Sequence, residues 1–458
     1  MAIQLFQNQK IQNLKIKRLG INGEGVSNYK GMTIFVEGAL PKEVVDVQIK
    51  TVSKRFGFAT VLKMKKASKD RVQPFCHLYE RCGGCQIQHL SYPAQLEFKK
   101  DLLHQALVKF KPKGYETYKL LDTLGMGNPL HYRNKAQFQF GKGKGSVVAG
   151  LYAMNSHQLI DLSNCPVQEK STQQVANTVK EVLNKFGASI YDERRNKGLF
   201  KRMMIRVGVM TGEVQLVLIT RTNEFPKKEE IISEIKRIHP EIKSIMQNIQ
   251  PKVSSEIFGE KTILLSGKRA IVERLEELSF DLSARAFFQL NPAQTKILYE
   301  EARRAIQVDA EDTLVDAYCG VGTIGLSLAK QVKKILGMDI TPQAIEDALV
   351  NAKNLGVENT EYVVGKAEEV LPRWVRSGEK ITGIIVDPPR TGLDEALIRT
   401  ILTIQPEKFV YISCNVSTLA RDLVEIAKVY DVEYMQSVDM FPHTARCEVV
   451  VKLIKRRG

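Results

Sequence analysis

At 458 residues, 43% hydrophobic and 26% charged, the chain is too long for one compact core and fits a soluble protein of two or three domains. No apolar run is long enough to span a bilayer and no apolar stretch follows Met1-Ala2-Ile3-Gln4, which argues against a membrane protein or a signal peptide and for a cytoplasmic protein. The net charge of +16 is unevenly placed, with 13 Lys/Arg against 5 Asp/Glu in residues 1–70 but 21 against 24 in residues 286–458; this predicts a basic part that holds a polyanion, nucleic acid rather than membrane, joined to a near-neutral part that does chemistry.

In residues 1–66, short alternating segments at 13–19, 32–36, 43–49 and 58–62 predict strands. Turn residues at Asn22-Gly23-Glu24-Gly25, Gly38 and Pro41-Lys42 separate them. Four or five strands in so short and basic a stretch predict a small barrel of the OB type; an SH3-like barrel reads the same way. The run Leu19-Gly20-Ile21-Asn22-Gly23-Glu24-Gly25-Val26, with Phe35 to Glu43 behind it, resembles the TRAM domain, an RNA-binding OB-like module of RNA-modifying enzymes. The resemblance covers most of residues 10–65 and implies an RNA-binding domain over 1–68.

Seven cysteines stand at 76, 82, 85, 165, 319, 414 and 447. An odd number in a cytoplasmic chain argues against a disulfide framework. Three crowd into Cys76-His77-Leu78-Tyr79-Glu80-Arg81-Cys82-Gly83-Gly84-Cys85, whose two glycines let the backbone fold round an inorganic core. The free candidate for a fourth thiolate is Cys165, in Asn164-Cys165-Pro166. Four thiolates suit zinc or a [4Fe–4S] cluster. The second Cys-x2–4-Cys pair usual for structural zinc is missing, so iron–sulfur is the expectation, with His77 not needed as a ligand.

Apolar residues at helical spacing, with lysines between them, predict a helix over 91–111 that packs on the catalytic domain. Residues 128–285 read as α+β, with strands near 136–140, 147–152, 203–209 and 214–219 and helices at 171–186 and 227–238; with the cysteine loop they form a central RNA-binding domain over 69–285. His131-Tyr132-Arg133-Asn134-Lys135 reads equally as an RNA-facing patch or as a strand start with solvated charges.

From residue 286 the pattern becomes strand–helix alternation, an α/β Rossmann-like domain over 286–458. A buried-type strand, Thr313 to Tyr318, runs into Cys319-Gly320-Val321-Gly322-Thr323, and the next strand ends at Asp339, 17 residues after Gly322. This β-loop-α-β-acid unit predicts an adenosine-containing cofactor whose ribose the acid holds. A nicotinamide dinucleotide fits the unit, but Asp316 and so short a glycine loop fit S-adenosylmethionine better, since it has no pyrophosphate to cradle. A further strand ends in Asp387-Pro388-Pro389-Arg390. Another, Phe409 to Ser413, ends at Cys414-Asn415, and a strand follows Glu448. Open α/β sheets keep their chemistry at the carboxyl ends of their strands. A thiol, a base and donors beside a methyl donor could methylate carbon 5 of a uracil through addition to carbon 6. The uridine must then be flipped or single-stranded.

Ser413-Cys414-Asn415 with Thr418-Leu419-Ala420-Arg421-Asp422, Asp387-Pro388-Pro389-Arg390 with Gly392, and Pro442-His443-Thr444 leading to Glu448 resemble the RNA uracil-C5-methyltransferase family. Ala286-Phe287-Phe288-Gln289-Leu290-Asn291 resembles the opening motif of its cofactor domain. With the barrel and the cysteine loop, the architecture is similar to the 23S rRNA branch, including Gram-positive members that modify two uridines with one enzyme. The resemblance implies Cys414 as nucleophile and Glu448 as base, with Gln289, Tyr318, Thr323, Asp339 and Asp387 lining the S-adenosylmethionine site. It also implies that Cys76, Cys82, Cys85 and Cys165 hold the [4Fe–4S] cluster and that a monomer acts on 23S rRNA. The chain departs from the family pattern at Val416, Arg446 and Lys366. Cys319 and Cys447 read as packing residues, His443 as positioning or structural, and Lys455-Arg456-Arg457 as a solvated tail. The alternatives are a tRNA uracil-C5-methyltransferase and an RNA-binding iron–sulfur protein that transfers no methyl group.

Overall fold

The computed structural model describes residues 5–143, 145–154 and 156–456; Met1 to Gln4 and Arg457 lie outside them. Near the N-terminus, strict alternation buries Ile34 and Val36 from Met32–Glu37, and Val45, Val47 and Ile49 from Val44–Val52, round one apolar core. Six strands share this sheet: Lys10–Lys15, Arg18–Leu19, Gly25–Tyr29, Met32–Glu37, Val44–Val52 and Phe56–Lys66. Gly25–Tyr29 was not predicted and starts at the last residue of the expected turn Asn22-Gly23-Glu24-Gly25. Gly25 is there for a close approach, since a Cβ at that position would lie 2.7 Å from the Ala39 carbonyl oxygen.

A second sheet, of seven strands, carries helices Lys170–Lys185 and Lys228–Ile238 against its apolar face. Lys135–Lys142, Val147–Tyr152, Phe200–Val207 and Val214–Thr220 follow the sequence expectation to within a few residues. Leu159–Asp161, Ile242–Ile249 and Lys261–Gly267 were not legible. In Ile242–Ile249 the buried polar residues Ser244, Gln247 and Asn248 interrupt the apolar pattern; Gln247 Nε2 donates to Thr220 Oγ1 at 2.9 Å and Asn248 Nδ2 to the Gly259 carbonyl at 3.0 Å. The solvated-charge reading of residues 131–135 is corrected in part: Arg133 and Lys135 are half-buried, and buried Tyr132 and Asn134 bond to the Pro442 and Gln289 carbonyls.

The third sheet runs Thr360–Val364, Lys334–Asp339, Thr313–Ala317, Gly383–Val386, Lys408–Ser413, Glu448–Lys455, Tyr430–Val438 across its width. The first five are parallel, while Glu448–Lys455 is antiparallel to both neighbours. Alternate residues bury on opposite faces, as a doubly covered sheet requires. Val315, Met338, Val386 and Tyr411 pack on one face, and Leu314, Ile335, Ile385 and Val410 on the other. The first face is completed by helix Tyr92–Phe110, whose Phe98, Leu102, Leu103 and Leu107 join that core. The second is joined by the hairpin Ala270–Leu275/Leu278–Ser283, so packing runs continuously across residue 285. The solvated-tail expectation holds for exposure but not for a free tail, and Arg457 lies outside the described residues. Lys455 ends a strand, and Arg456 Nε donates to Asp431 Oδ1 at 2.8 Å. No helix among the described residues is long and apolar enough to cross a membrane.

Candidate active site at the carboxyl edge of the third sheet

Strand Thr313–Ala317 ends at Tyr318, held at φ +65°, and turns through Gly320 and Gly322 into helix Thr323–Leu328. Gly322 has φ +84°, and a Cβ there would sit 2.8 Å from Tyr362 Oη, so only glycine fits this corner. Asp339 braces the loop: its carboxylate accepts from Gly320 N at 3.2 Å and from Thr341 N at 2.8 Å. Buried Asp316 accepts from Gly325 N at 2.8 Å, and Thr323 Oγ1 lies 3.0 Å from buried Tyr299 Oη. Tyr318, Lys366 and Pro389 line an open groove of about 790 Å³, with Ile340, next to Asp339, on its wall. Gln289 is buried just before helix Pro292–Ile306 and packs on the central domain, where its carbonyl accepts from Asn134 Nδ2.

Cys414 is half-buried between strand Lys408–Ser413 and helix Val416–Ile426. Asn415 caps that helix by accepting from Ser417 N, and its Nδ2 donates to the Arg390 carbonyl at 2.8 Å. A second tie is Asp422. It accepts from Leu393 N at 2.9 Å and Tyr411 Oη at 2.8 Å on one oxygen, and from Arg421 Nε at 2.8 Å on the other. The Asp387-Pro388-Pro389-Arg390 loop and the cysteine corner are thus one unit.

Strand register sets these groups side by side, since Val386 pairs with Tyr411 and Ser413 with Val449. Desolvation and then Asp339 push Asp316 up to about 7; desolvation and then Asp316 push Asp387 up to about 7. Glu448 is buried and raised well above the carboxylate range by desolvation and then Asp387, with Arg390 and Lys99 opposing. The Cys414 thiol is pushed up to about 12 by desolvation, Glu448 and Asp387, again against Arg390. Buried carboxyl groups gathered at one sheet edge fit a cationic ligand, and a sulfonium has that chemistry. A thiol beside a high-pKa carboxyl can act as a nucleophile paired with a base.

The structure brings the four predicted cysteine ligands together. Cys76, Cys82, Cys85 and Cys165 line one cavity of about 490 Å³, into which Arg390 and Arg446 also face. All four are free thiols. Burial pushes Cys82, Cys85 and Cys165 up, Cys85 to about 12. Among the described residues, no three His, Cys, Asp or Glu side chains converge as one metal ion would need. Cys319 and Cys447 are buried packing residues. Sequence reasoning missed Lys99 and Asp439, a fully buried ion pair beneath the segment that leads to Glu448. Their 340-residue separation hides the pairing. The one sequence signal is that Lys99 shares a helix face with Tyr92 and Gln95.

The fold and this edge are those of a methyltransferase acting on RNA. The family model described as tRNA (Uracil-5-)-methyltransferase matches residues 91–456, and the TRAM domain model matches residues 6–62. The chain belongs to this RNA uracil-C5-methyltransferase family and carries a TRAM domain. It is 57% identical to an uncharacterized RNA methyltransferase of Enterococcus faecalis over 100% of both chains. It is 53% identical to one from Streptococcus mutans, covering 98% of this chain and 97% of that one. The crystal structure of Pyrococcus abyssi tRNA (uracil-54, C5)-methyltransferase with S-adenosyl-L-homocysteine superposes with a TM-score of 0.77 at 28% identity, covering 97% of this chain and 99% of that one.

Proposed function

We propose that this chain methylates carbon 5 of one or two uridines in 23S rRNA, with Cys414 as nucleophile and Glu448 as base. The observation that carries this reading is the strand register: Val386 pairs with Tyr411 and Ser413 with Val449, which brings Asp387, Cys414 and Glu448 to one end of three neighbouring strands. Carbon 5 of uracil is a poor nucleophile. Addition of the Cys414 thiolate to carbon 6 makes an enolate whose electron density falls on carbon 5. S-Adenosylmethionine, held by Gln289, Tyr318, Thr323, Asp339 and Asp387, supplies the methyl group on a cationic sulfur. Glu448, whose carboxylate form Arg390, Lys99 and a bound cation favour, takes the proton left on carbon 5, the 5,6 double bond re-forms, and Cys414 departs as thiolate. Arg390 favours the Cys414 thiolate, and a cation bound among the carboxylates favours it further. Asp387, held near 7, can both donate and accept, which suits the mixed carbonyl and N–H edge of uracil. Gln289 can do the same.

Cys76, Cys82, Cys85 and Cys165 are assigned to a [4Fe–4S] cluster. What supports this is four soft thiols round one cavity, together with the missing second Cys-x2–4-Cys pair usual for zinc. Bound there, the cluster supplies a cross-link between the cysteine loop and the central domain. The 23S rRNA substrate follows from the chain's resemblance to that branch of the family. A tRNA substrate is the second reading, because the Pyrococcus abyssi tRNA enzyme covers 97% of this chain, barrel included, so this architecture does not separate the two.

The test is incubation of the purified protein with labelled S-adenosylmethionine and either 23S rRNA or tRNA transcripts, followed by mapping of 5-methyluridine. Label in 23S rRNA, lost in Cys414→Ala although that variant still binds S-adenosylmethionine, is the expected result. Label only in tRNA establishes the second reading. Label in neither RNA overturns the catalytic assignment in favour of a binder.

A further inference from the structure

Glu448 opens its strand opposite Val438 and is delivered by the turn over residues 439–447. That turn is pinned from outside the catalytic sheet. The Lys99 ammonium pairs with Asp439, both groups with no exposed side-chain surface, and Lys99 Nζ also donates to the Phe441 carbonyl at 3.0 Å. Tyr92 Oη donates to the second Asp439 oxygen at 2.9 Å. Gln95 accepts from His443 N at 2.9 Å, and His443 is held at φ +66°. Tyr92, Gln95 and Lys99 stand at i, i+3 and i+7 on helix Tyr92–Phe110, so one helix face makes all these contacts.

Burying two opposite charges gains no stability over an apolar pair of the same volume. What the pair provides is a fixed geometry one turn away from Glu448. We propose that Lys99 is a positioning residue for Glu448: through Asp439 and the Phe441 carbonyl it sets where the proton acceptor stands relative to carbon 5 of the uridine attached to Cys414. Lys99 also opposes the upward shift of the Glu448 carboxyl, as a nearby buried cation should. The inference rests on the uracil-methylation reading above. It has a step-specific consequence. Cys414 follows a different strand, and none of the hydrogen bonds that pin this turn is made to it, so loosening the turn slows proton removal and release of the RNA, not thiol addition or methyl transfer.

The experiment uses the full chain, unaltered and as Lys99→Met with Asp439→Leu, in single-turnover reactions with the methylatable RNA and labelled S-adenosylmethionine. Two rates are read: methyl incorporation into total RNA, and appearance of labelled RNA free of protein on a denaturing gel. Thermal melting is followed in parallel. The expected result is incorporation within about threefold of the unaltered protein and release slowed by about tenfold to a hundredfold, the range for displacing a catalytic group by an ångström or less. Equal slowing of both steps, or no change in either, overturns the proposal. If the double variant melts early, Tyr92→Phe, which removes one bond to Asp439, is read in the same way: slower release at unchanged incorporation supports the proposal, and an unchanged ratio overturns it. If the unaltered protein methylates no RNA, the uracil-methylation reading fails first, and this inference falls with it.

Discussion

Gly392→Ala is a test of the unit that joins the Asp387 loop to Cys414. Gly392 has φ +79°, and a Cβ there would lie 2.5 Å from Asp422 Oδ2, 2.7 Å from Arg421 Nη2 and 2.9 Å from Thr418 Cβ. The backbone conformation alone costs alanine about 1–2 kcal/mol. The contact costs more, because Asp422 Oδ2 must retreat from Leu393 N and Tyr411 Oη, and bonds to a charged acceptor are each worth about 1.5–3 kcal/mol. A total of about 3–5 kcal/mol is expected, which lowers the melting temperature of a domain this size by about 6–20 °C. Gly378→Ala is the control. Its φ is +92° with nothing within 4 Å of the added Cβ, so the backbone cost stands alone. Both variants are compared with the parent by thermal unfolding and by methyl transfer to RNA. Equal losses for the two glycines would refute the argument, because the difference between them is the Asp422 contact. Loss of stability at Gly392 without loss of methyl transfer would show that the loop tie does not serve the thiol.

Further outcomes follow from the same site. Asp316 and Asp387 are held up to about 7, so between about pH 4 and 7 the folded state binds more protons than the unfolded chain, and their contribution to stability falls as pH rises through that window. His89 and His443, held down to about 4, act in the opposite sense from about 4 to 6.5, where the unfolded chain binds the extra protons. The aspartate contribution is therefore read as the difference in melting temperature between the protein and Asp387→Asn, which should narrow as pH falls; a pH-independent difference contradicts it. Cationic S-adenosylmethionine should release protons on binding near pH 7, seen as calorimetric heats that depend on the buffer's ionisation enthalpy, and buffer-independent heats contradict this. Anaerobic purification should give a brown protein with about four irons per chain, lost in Cys165→Ser. A colourless zinc protein contradicts the cluster.

The candidate site was legible because the residues proposed for it close strands in short local motifs. Ser413-Cys414-Asn415, Asp387-Pro388-Pro389-Arg390 and the Gly320–Gly322 loop each carry their geometry within a few residues. What the sequence hid was set by distant partners. Lys99 reads as one of several solvent-facing lysines of an amphipathic helix, and only Asp439 makes it a buried ion. Ile242–Ile249 reads as broken because its buried polar side chains are satisfied from other segments. Residues 131–135 look exposed in sequence but are wedged against the catalytic turn, where Tyr132 Oη donates to the Pro442 carbonyl at 3.0 Å. Helix Tyr92–Phe110 was expected to pack on the catalytic domain, and its apolar face lies in that core.

The central claim is a covalent bond between Cys414 and carbon 6 of a uridine, resolved by Glu448. Glu448→Gln removes the proton acceptor and leaves the thiol. Incubated with substrate RNA and labelled S-adenosylmethionine, then run on a denaturing gel, this variant should yield a methyl-labelled RNA–protein species whose RNA maps to Cys414. Free RNA alone, or attachment at any other residue, would contradict the account.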